Sequence, residues 1–88
     1  MATEPLLAGL ADEPGRVIKH SLSIAGHRTS ISLEAAFWMA LREMAAARNM
    51  PIAVLVSQID SGRGEANLSS AIRVYVLKAA QQGAAQAQ

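Results

Sequence analysis

Six polar side chains recur at every second position in two neighbouring stretches of the chain. They are Lys19, Ser21 and Ser23 in the first stretch, and Arg28, Ser30 and Ser32 in the second. Basic groups neutralise phosphates, and serine hydroxyls both donate and accept hydrogen bonds. None of the six is acidic. We therefore treat these six residues as the candidate DNA-binding set, with Lys19 as a candidate phosphate contact.

Apolar residues occupy the alternate positions of the same two stretches. They are Ile18, Leu22 and Ile24 in the first, and Thr29, Ile31 and Leu33 in the second. A period of two predicts strands with one buried and one solvated face. Gly26-His27 is the predicted two-residue loop, because glycine at the first central position suits a type II′ turn. A small β-ribbon of this kind can enter the major groove of DNA.

This loop fixes the predicted register of the hairpin. Apolar residues then face apolar residues, and serines face serines, as sheet pairing favours. The predicted pairs are Ile24 with Thr29, Leu22 with Ile31, His20 with Leu33, Ser23 with Ser30, and Ser21 with Ser32. A two-stranded hairpin is marginal alone in water. The sequence offers no third strand, so the hairpin needs helices or a second copy to cover its apolar face.

Length and composition point to association between subunits. The chain has 88 residues, 51% of them hydrophobic, and no cysteine. One domain of this size buries only part of its surface and often needs disulfides, metal or oligomerisation. The lack of cysteine excludes disulfides and thiolate metal sites. Oligomerisation is therefore the expected route to stability.

The chain divides into three predicted parts. Residues 1–15 are a flexible acidic arm that carries Leu6, Leu7 and Leu10, residues 16–80 are the domain, and residues 81–88 are a tail. No apolar run reaches the length of a transmembrane helix, and no basic cluster opens the chain as in a signal peptide. These features predict a soluble cytoplasmic protein that does not contact a membrane.

Three helices are predicted after the hairpin. The first spans Leu33 to Arg48 with Ser32 as its N-cap, and Asn49 is expected to end it in the left-handed conformation. The second starts at Pro51 and ends near Asp60 to Gly62, and the third follows an Asn67 cap to about Ala79. Trp38 is expected to pack beside the apolar stripe of the first helix. Helical spacing gives the predicted core, which is Phe37, Leu41, Ile52, Leu55, Ile59, Ile72 and Val76.

The order of these elements resembles the ribbon-helix-helix (MetJ/Arc-like) DNA-binding family. The stretch 28–45 is similar to the strand and first helix of that family, and 49–56 is similar to its turn and second helix. The longer run 19–77 resembles a small bacterial subfamily of ribbon-helix-helix domains. The resemblance therefore implies a mainly α fold with a short β-ribbon.

The same resemblance implies an intertwined homodimer that assembles further in some relatives. The strand before the first helix would pair with its twin, giving a four-stranded sheet with the first strands at its edges. Arg28, Ser30 and Ser32 would then enter the major groove, and the N-terminus of the second helix would meet a phosphate. Pro51 is expected to remove one N–H from that turn. The implied role is a transcriptional regulator that binds double-stranded DNA.

Two other functions remain open from the sequence. One is an antitoxin-type or adaptor dimer that captures a protein partner, with the arm at 1–15 as the capturing segment. The other is a dimerisation module whose serine-rich face has no ligand. An enzyme is not predicted, because the chain has no nucleophile elbow, triad or glycine-rich phosphate loop. No cofactor or metal is predicted, since His20 is expected to pack and His27 lies in the turn.

Overall fold

A β-hairpin followed by three helices forms the fold, as predicted. The computed structural model describes residues 13–86, with side chains described as far as residue 83. The elements are β1 (Val17–Ile24), β2 (His27–Glu34), α1 (Ala35–Ala47), α2 (Ile52–Ser61) and α3 (Leu68–Gln86). The two strands are antiparallel neighbours. The third helix thus extends beyond Ala79, where the sequence pattern ends.

The hairpin loop is Ala25-Gly26, so the predicted Gly26-His27 loop is wrong. Both loop residues have positive φ, 52° at Ala25 and 83° at Gly26. This is the type I′ pattern, whose twist matches that of the flanking strands. Glycine therefore occupies the second central position, and an alanine accepts the left-handed conformation at the first.

The predicted register is also wrong, because the earlier position of the loop shifts the pairing of the two strands. Ile24 pairs with His27, Ser23 with Arg28, and Ser21 with Ser30. Each residue of β1 thus meets a partner two positions earlier in β2 than expected. A shift of two positions leaves the side-chain alternation unchanged. The predicted apolar and polar faces are therefore both present.

The first helix begins two residues later than predicted. Ser32 is not its N-cap, because it pairs with Lys19 in the strand ladder. Glu34 precedes the helix without a side-chain capping bond. The first N–H groups of α1 instead donate to the incoming chain, Ala35 N–H to the Arg16 carbonyl (2.8 Å) and Ala36 N–H to the Pro14 carbonyl (2.9 Å). Backbone pairing therefore replaces the expected serine cap.

Two of the predicted signals at the later helix ends are confirmed, and the predicted position of Pro51 is wrong. Asn49 adopts φ of 55° after α1, as expected for a left-handed helix terminus. The Asn67 carboxamide oxygen accepts the N–H of Ser70 at 2.8 Å and caps α3. Pro51 is the N-cap of α2 rather than its first helical residue. The first turn of α2 therefore keeps all its N–H groups, and the N–H that proline lacks is missing only from the N-cap position.

The apolar face of the hairpin and the three helices enclose one core. Most of the predicted core residues are buried, but Phe37 and Ile52 are only partly buried. Trp38 is 2% exposed and lies in the core itself, not beside it. Its indole N–H donates to the Ile18 carbonyl at 2.8 Å, and the ring of His20 meets it edge-on. This bond satisfies the indole N–H inside the core. The orientation of α1 therefore buries Trp38 more deeply than Phe37, the aromatic residue predicted for the core.

Candidate nucleic-acid interface

The six candidate residues lie together on one exposed surface, which we call the polar face. All six side chains are exposed. Ser21 and Ser30 place their hydroxyl oxygens 3.3 Å apart, and Arg28 donates from Nη1 to the Ser23 hydroxyl at 3.4 Å. Both contacts join residues that are directly opposite in the ladder. The two strands therefore present one continuous surface.

The direction of the backbone groups on β2 follows from the ladder. The bond from Ala35 N–H to the Arg16 carbonyl marks that pair as hydrogen-bonded. Hydrogen-bonded and non-hydrogen-bonded pairs alternate along an antiparallel ladder. In the observed register, Arg28, Ser30 and Ser32 then belong to non-hydrogen-bonded pairs. Their N–H and C=O groups point away from β1, towards the outer edge of β2.

Part of this outer edge is covered by α3. The Ser69 hydroxyl donates to the Ser32 carbonyl at 3.0 Å, which agrees with the outward direction of that carbonyl. Within residues 13–86, β1 is the one strand that neighbours β2. The outer edge is therefore available to another strand around Arg28 and Ser30 and is occupied at Ser32 by α3.

An acidic residue at the end of β2 is paired by α3. Glu34 follows the polar-face alternation, and Arg73 donates to its carboxylate from Nε at 2.9 Å and from Nη2 at 3.2 Å. These hydrogen bonds are the main reason that the pKa of Glu34 lies below its usual value of 4.5. The guanidinium also lies 5.9 Å from the centre of the Phe37 ring. Because Arg73 neutralises the Glu34 carboxylate, the polar face does not end in an uncompensated negative charge.

The sequence alone does not reveal this pair. Glu34 and Arg73 are separated by 39 positions and belong to different elements. Helical and strand periodicities act over a few residues, so neither relates the two positions. The same holds for Ser69, because its hydroxyl bonds to a distant backbone carbonyl in β2 that no local pattern relates to it.

The Glu34–Arg73 pair predicts a pH-dependent contribution to stability. A carboxyl group whose pKa is lowered by folding stabilises the folded state above its unfolded pKa, and this contribution is lost as pH falls through the folded pKa. We expect the gap in urea midpoint between wild type and Arg73→Ala to be larger at about pH 7 than at about pH 3. Circular dichroism at the two pH values measures it.

A lysine on the same helix provides the control for this measurement. Lys78 is exposed on α3, so Lys78→Ala removes a charge but leaves the Glu34 carboxylate paired. The difference in urea midpoint between wild type and Lys78→Ala should be the same at both pH values. A gap for Arg73→Ala that does not narrow in acid contradicts the stabilising role of the pair.

A second surface feature is an apolar groove between α2 and α3. It has a volume of about 460 Å³, and its lining includes Leu55, Ile59, Val74 and Tyr75. Val74 and Leu77 of α3 are each about half exposed, at 51% and 55%. None of the six polar-face residues lines the groove. The groove is therefore separate from the candidate nucleic-acid interface.

Two further findings apply to residues 13–86 alone. In this part of the chain, no three His, Asp or Glu side chains are grouped so that they could hold a metal ion. No helix in the same residues has the length and hydropathy needed to cross a membrane. Residues 1–12, which make up most of the predicted acidic arm, lie outside the described residues. Capture of a partner by that arm therefore stays a prediction.

The chain is similar to a known protein family and to a solved structure. The family described as "Ribbon-helix-helix domain" matches residues 17–80. The chain is also similar to the solved structure of an uncharacterized protein from Bordetella pertussis Tohama I, with 30% sequence identity and a TM-score of 0.77. That similarity covers 98% of this chain and 73% of the other. No curated protein matches the chain.

Proposed function

Because this chain belongs to the ribbon-helix-helix domain family, we propose that it is a homodimeric regulator of transcription that binds duplex DNA through its polar face. The observation that carries the proposal is a face of six basic or serine side chains beside a strand edge that is unpaired by any strand within residues 13–86. Domains of this family are typically regulatory DNA-binding modules without enzymatic activity. The proposal includes a cytoplasmic location and needs no cofactor.

The dimer forms in this proposal by pairing of two β2 strands. The outward N–H and C=O groups of Arg28 and Ser30 would bond to the same residues of a second copy, as an antiparallel ladder requires. This pairing gives backbone groups on the outer edge a partner other than water. The result is a four-stranded sheet with β2 and its twin at the centre, whose polar faces are continuous.

DNA contact in this proposal uses the side chains of the central strands. Arg28 has a planar fork that can bind the O6 and N7 atoms of a guanine, and Ser30 can donate or accept at a base edge. Both side chains are exposed, and they lie on the same face. Serine side chains are short and can contact few base atoms, so most of the affinity would come from neutralised phosphates.

Arg28→Ala tests this function directly. Loss of the fork in both subunits should weaken binding to a preferred duplex by about tenfold to a hundredfold and reduce the discrimination between duplexes. Selection of bound sequences from a random duplex pool, followed by titration at two salt concentrations, measures both effects.

Arg42→Ala is the matched control, because Arg42 is an exposed arginine on α1 and not part of the polar face. It should bind the selected duplex like wild type. If wild type binds no duplex in the pool at low salt, or if Arg28→Ala retains full affinity and preference, DNA recognition by the polar face is refuted.

A further inference from the structure

We infer that β1 is a phosphate-contacting strand, and that its Lys19 lies over the DNA backbone while β2 lies over the bases. This inference rests on the proposed dimer and its DNA-binding function. It assigns different ligand groups to the two strands: phosphodiesters to Lys19 of β1 and base edges to Arg28 of β2.

The width of the sheet is the first argument. Neighbouring strands are about 4.8 Å apart, so the outer axes of a four-stranded sheet are separated by about 14 Å. The major groove is about 12 Å wide and admits a two-stranded ribbon. The two central strands fit within the groove, but the two flanking strands do not. Each β1 strand would then lie over the sugar-phosphate backbone that borders the groove.

The chemistry of the side chains is the second argument. β1 carries Lys19, whose ammonium group is a compact charge that suits a phosphate, and β2 carries Arg28, whose fork suits a guanine edge. Lys19 is exposed and lies opposite Ser32 in the ladder. Each cation therefore suits the DNA group over which the sheet would place its strand.

The direction of the backbone is the third argument. Lys19, Ser21 and Ser23 belong to non-hydrogen-bonded pairs, because each is opposite one of the outward residues of β2. Their N–H groups therefore point outwards from the edge of β1 that faces away from β2. Backbone N–H groups are frequent phosphate ligands in protein–DNA complexes. The outer edge of β1 thus adds neutral donors to the charge of Lys19.

The salt dependence of binding distinguishes phosphate contact from base contact. Each neutralised phosphate contributes about 0.9 to the slope of log affinity against log salt. Lys19→Ala should therefore lower the slope by about two per dimer and weaken all duplexes to a similar extent, with sequence preference retained. Fluorescence anisotropy with a preferred and a scrambled duplex over a salt series measures this change.

Three variants make the outcome specific to Lys19. Lys19→Arg should keep the wild-type slope, and Lys78→Ala, which removes an exposed lysine of α3, should also keep it. Arg28→Ala should instead alter preference. A wild-type slope in Lys19→Ala, or a changed sequence preference in that variant, overturns the inference while wild-type binding still supports the proposed function. Absence of duplex binding by wild type overturns both.

Discussion

If two copies pair through β2 as proposed, Ser30→Pro should convert the dimer into a monomer while the hairpin stays intact. Proline lacks the N–H, and the N–H of Ser30 points to the outer edge of β2, where it has no role in the bonds to β1. Proline is tolerated on an edge strand when the missing N–H faces away from its neighbour. The proline ring would block the approach of a second β2 strand. Light scattering measures the mass, and circular dichroism measures the secondary structure.

Ser21→Pro is the matched control for this experiment. Ser21 is directly opposite Ser30, and its N–H also points outwards, but from the outer edge of β1. The dimer should therefore survive this second proline. Ile31→Pro should break the hairpin itself, because Ile31 belongs to a hydrogen-bonded pair with His20. A Ser30→Pro protein that remains dimeric would show that the subunits associate through another surface.

Trp38→Ala should remove a large part of the folding stability and lower the urea midpoint strongly. Trp38 is the single tryptophan of the chain and is 2% exposed. Removal of a buried tryptophan side chain costs about 3–5 kcal/mol, which is a large part of the 5–15 kcal/mol that is typical of a folded domain. The loss also leaves the Ile18 carbonyl without the indole donor. Urea unfolding followed by circular dichroism gives the change in midpoint.

Met39→Ala is the control at the adjacent position of the same helix. Met39 is 59% exposed, so its truncation should leave the midpoint almost unchanged. Trp38→Phe should fall between the two, because it keeps an aromatic ring but loses the bond to the Ile18 carbonyl. Equal midpoints for Trp38→Ala and Met39→Ala would contradict the central place of the indole in the core.

The parts of the fold that depend on short periodicities could be predicted from the sequence. The alternation through Ser21 and Ser30 predicted both strands and put six polar side chains on one face, where the structure has them. Asn49 and Asn67 marked helix ends because their side chains suit left-handed and capping positions. The contact of those six side chains with DNA remains a prediction.

The errors arise where two local solutions satisfy the same pattern. Gly26 can occupy either central position of a two-residue loop, and the choice between them shifts the whole register. On α1, the series at 37, 41 and 44 and the series at 38, 41 and 45 both have helical spacing, and they differ in which aromatic residue enters the core. The carbonyl that accepts the Trp38 N–H belongs to β1, 20 positions earlier, so no local pattern could decide.

The hydroxyl of Ser69 has a consequence for assembly, because it limits how much of β2 a neighbour can use. A long, flat and uncovered strand is a template for uncontrolled aggregation. Here α3 shortens the available stretch from one end. In the proposed dimer, the strand at each margin is β1, which carries Lys19, and a lysine on an edge strand disfavours the addition of further strands. The outward backbone groups of β2 would favour pairing of two copies and the lysine on each outer strand would disfavour further addition, so in this proposal a closed pair is favoured over fibrils.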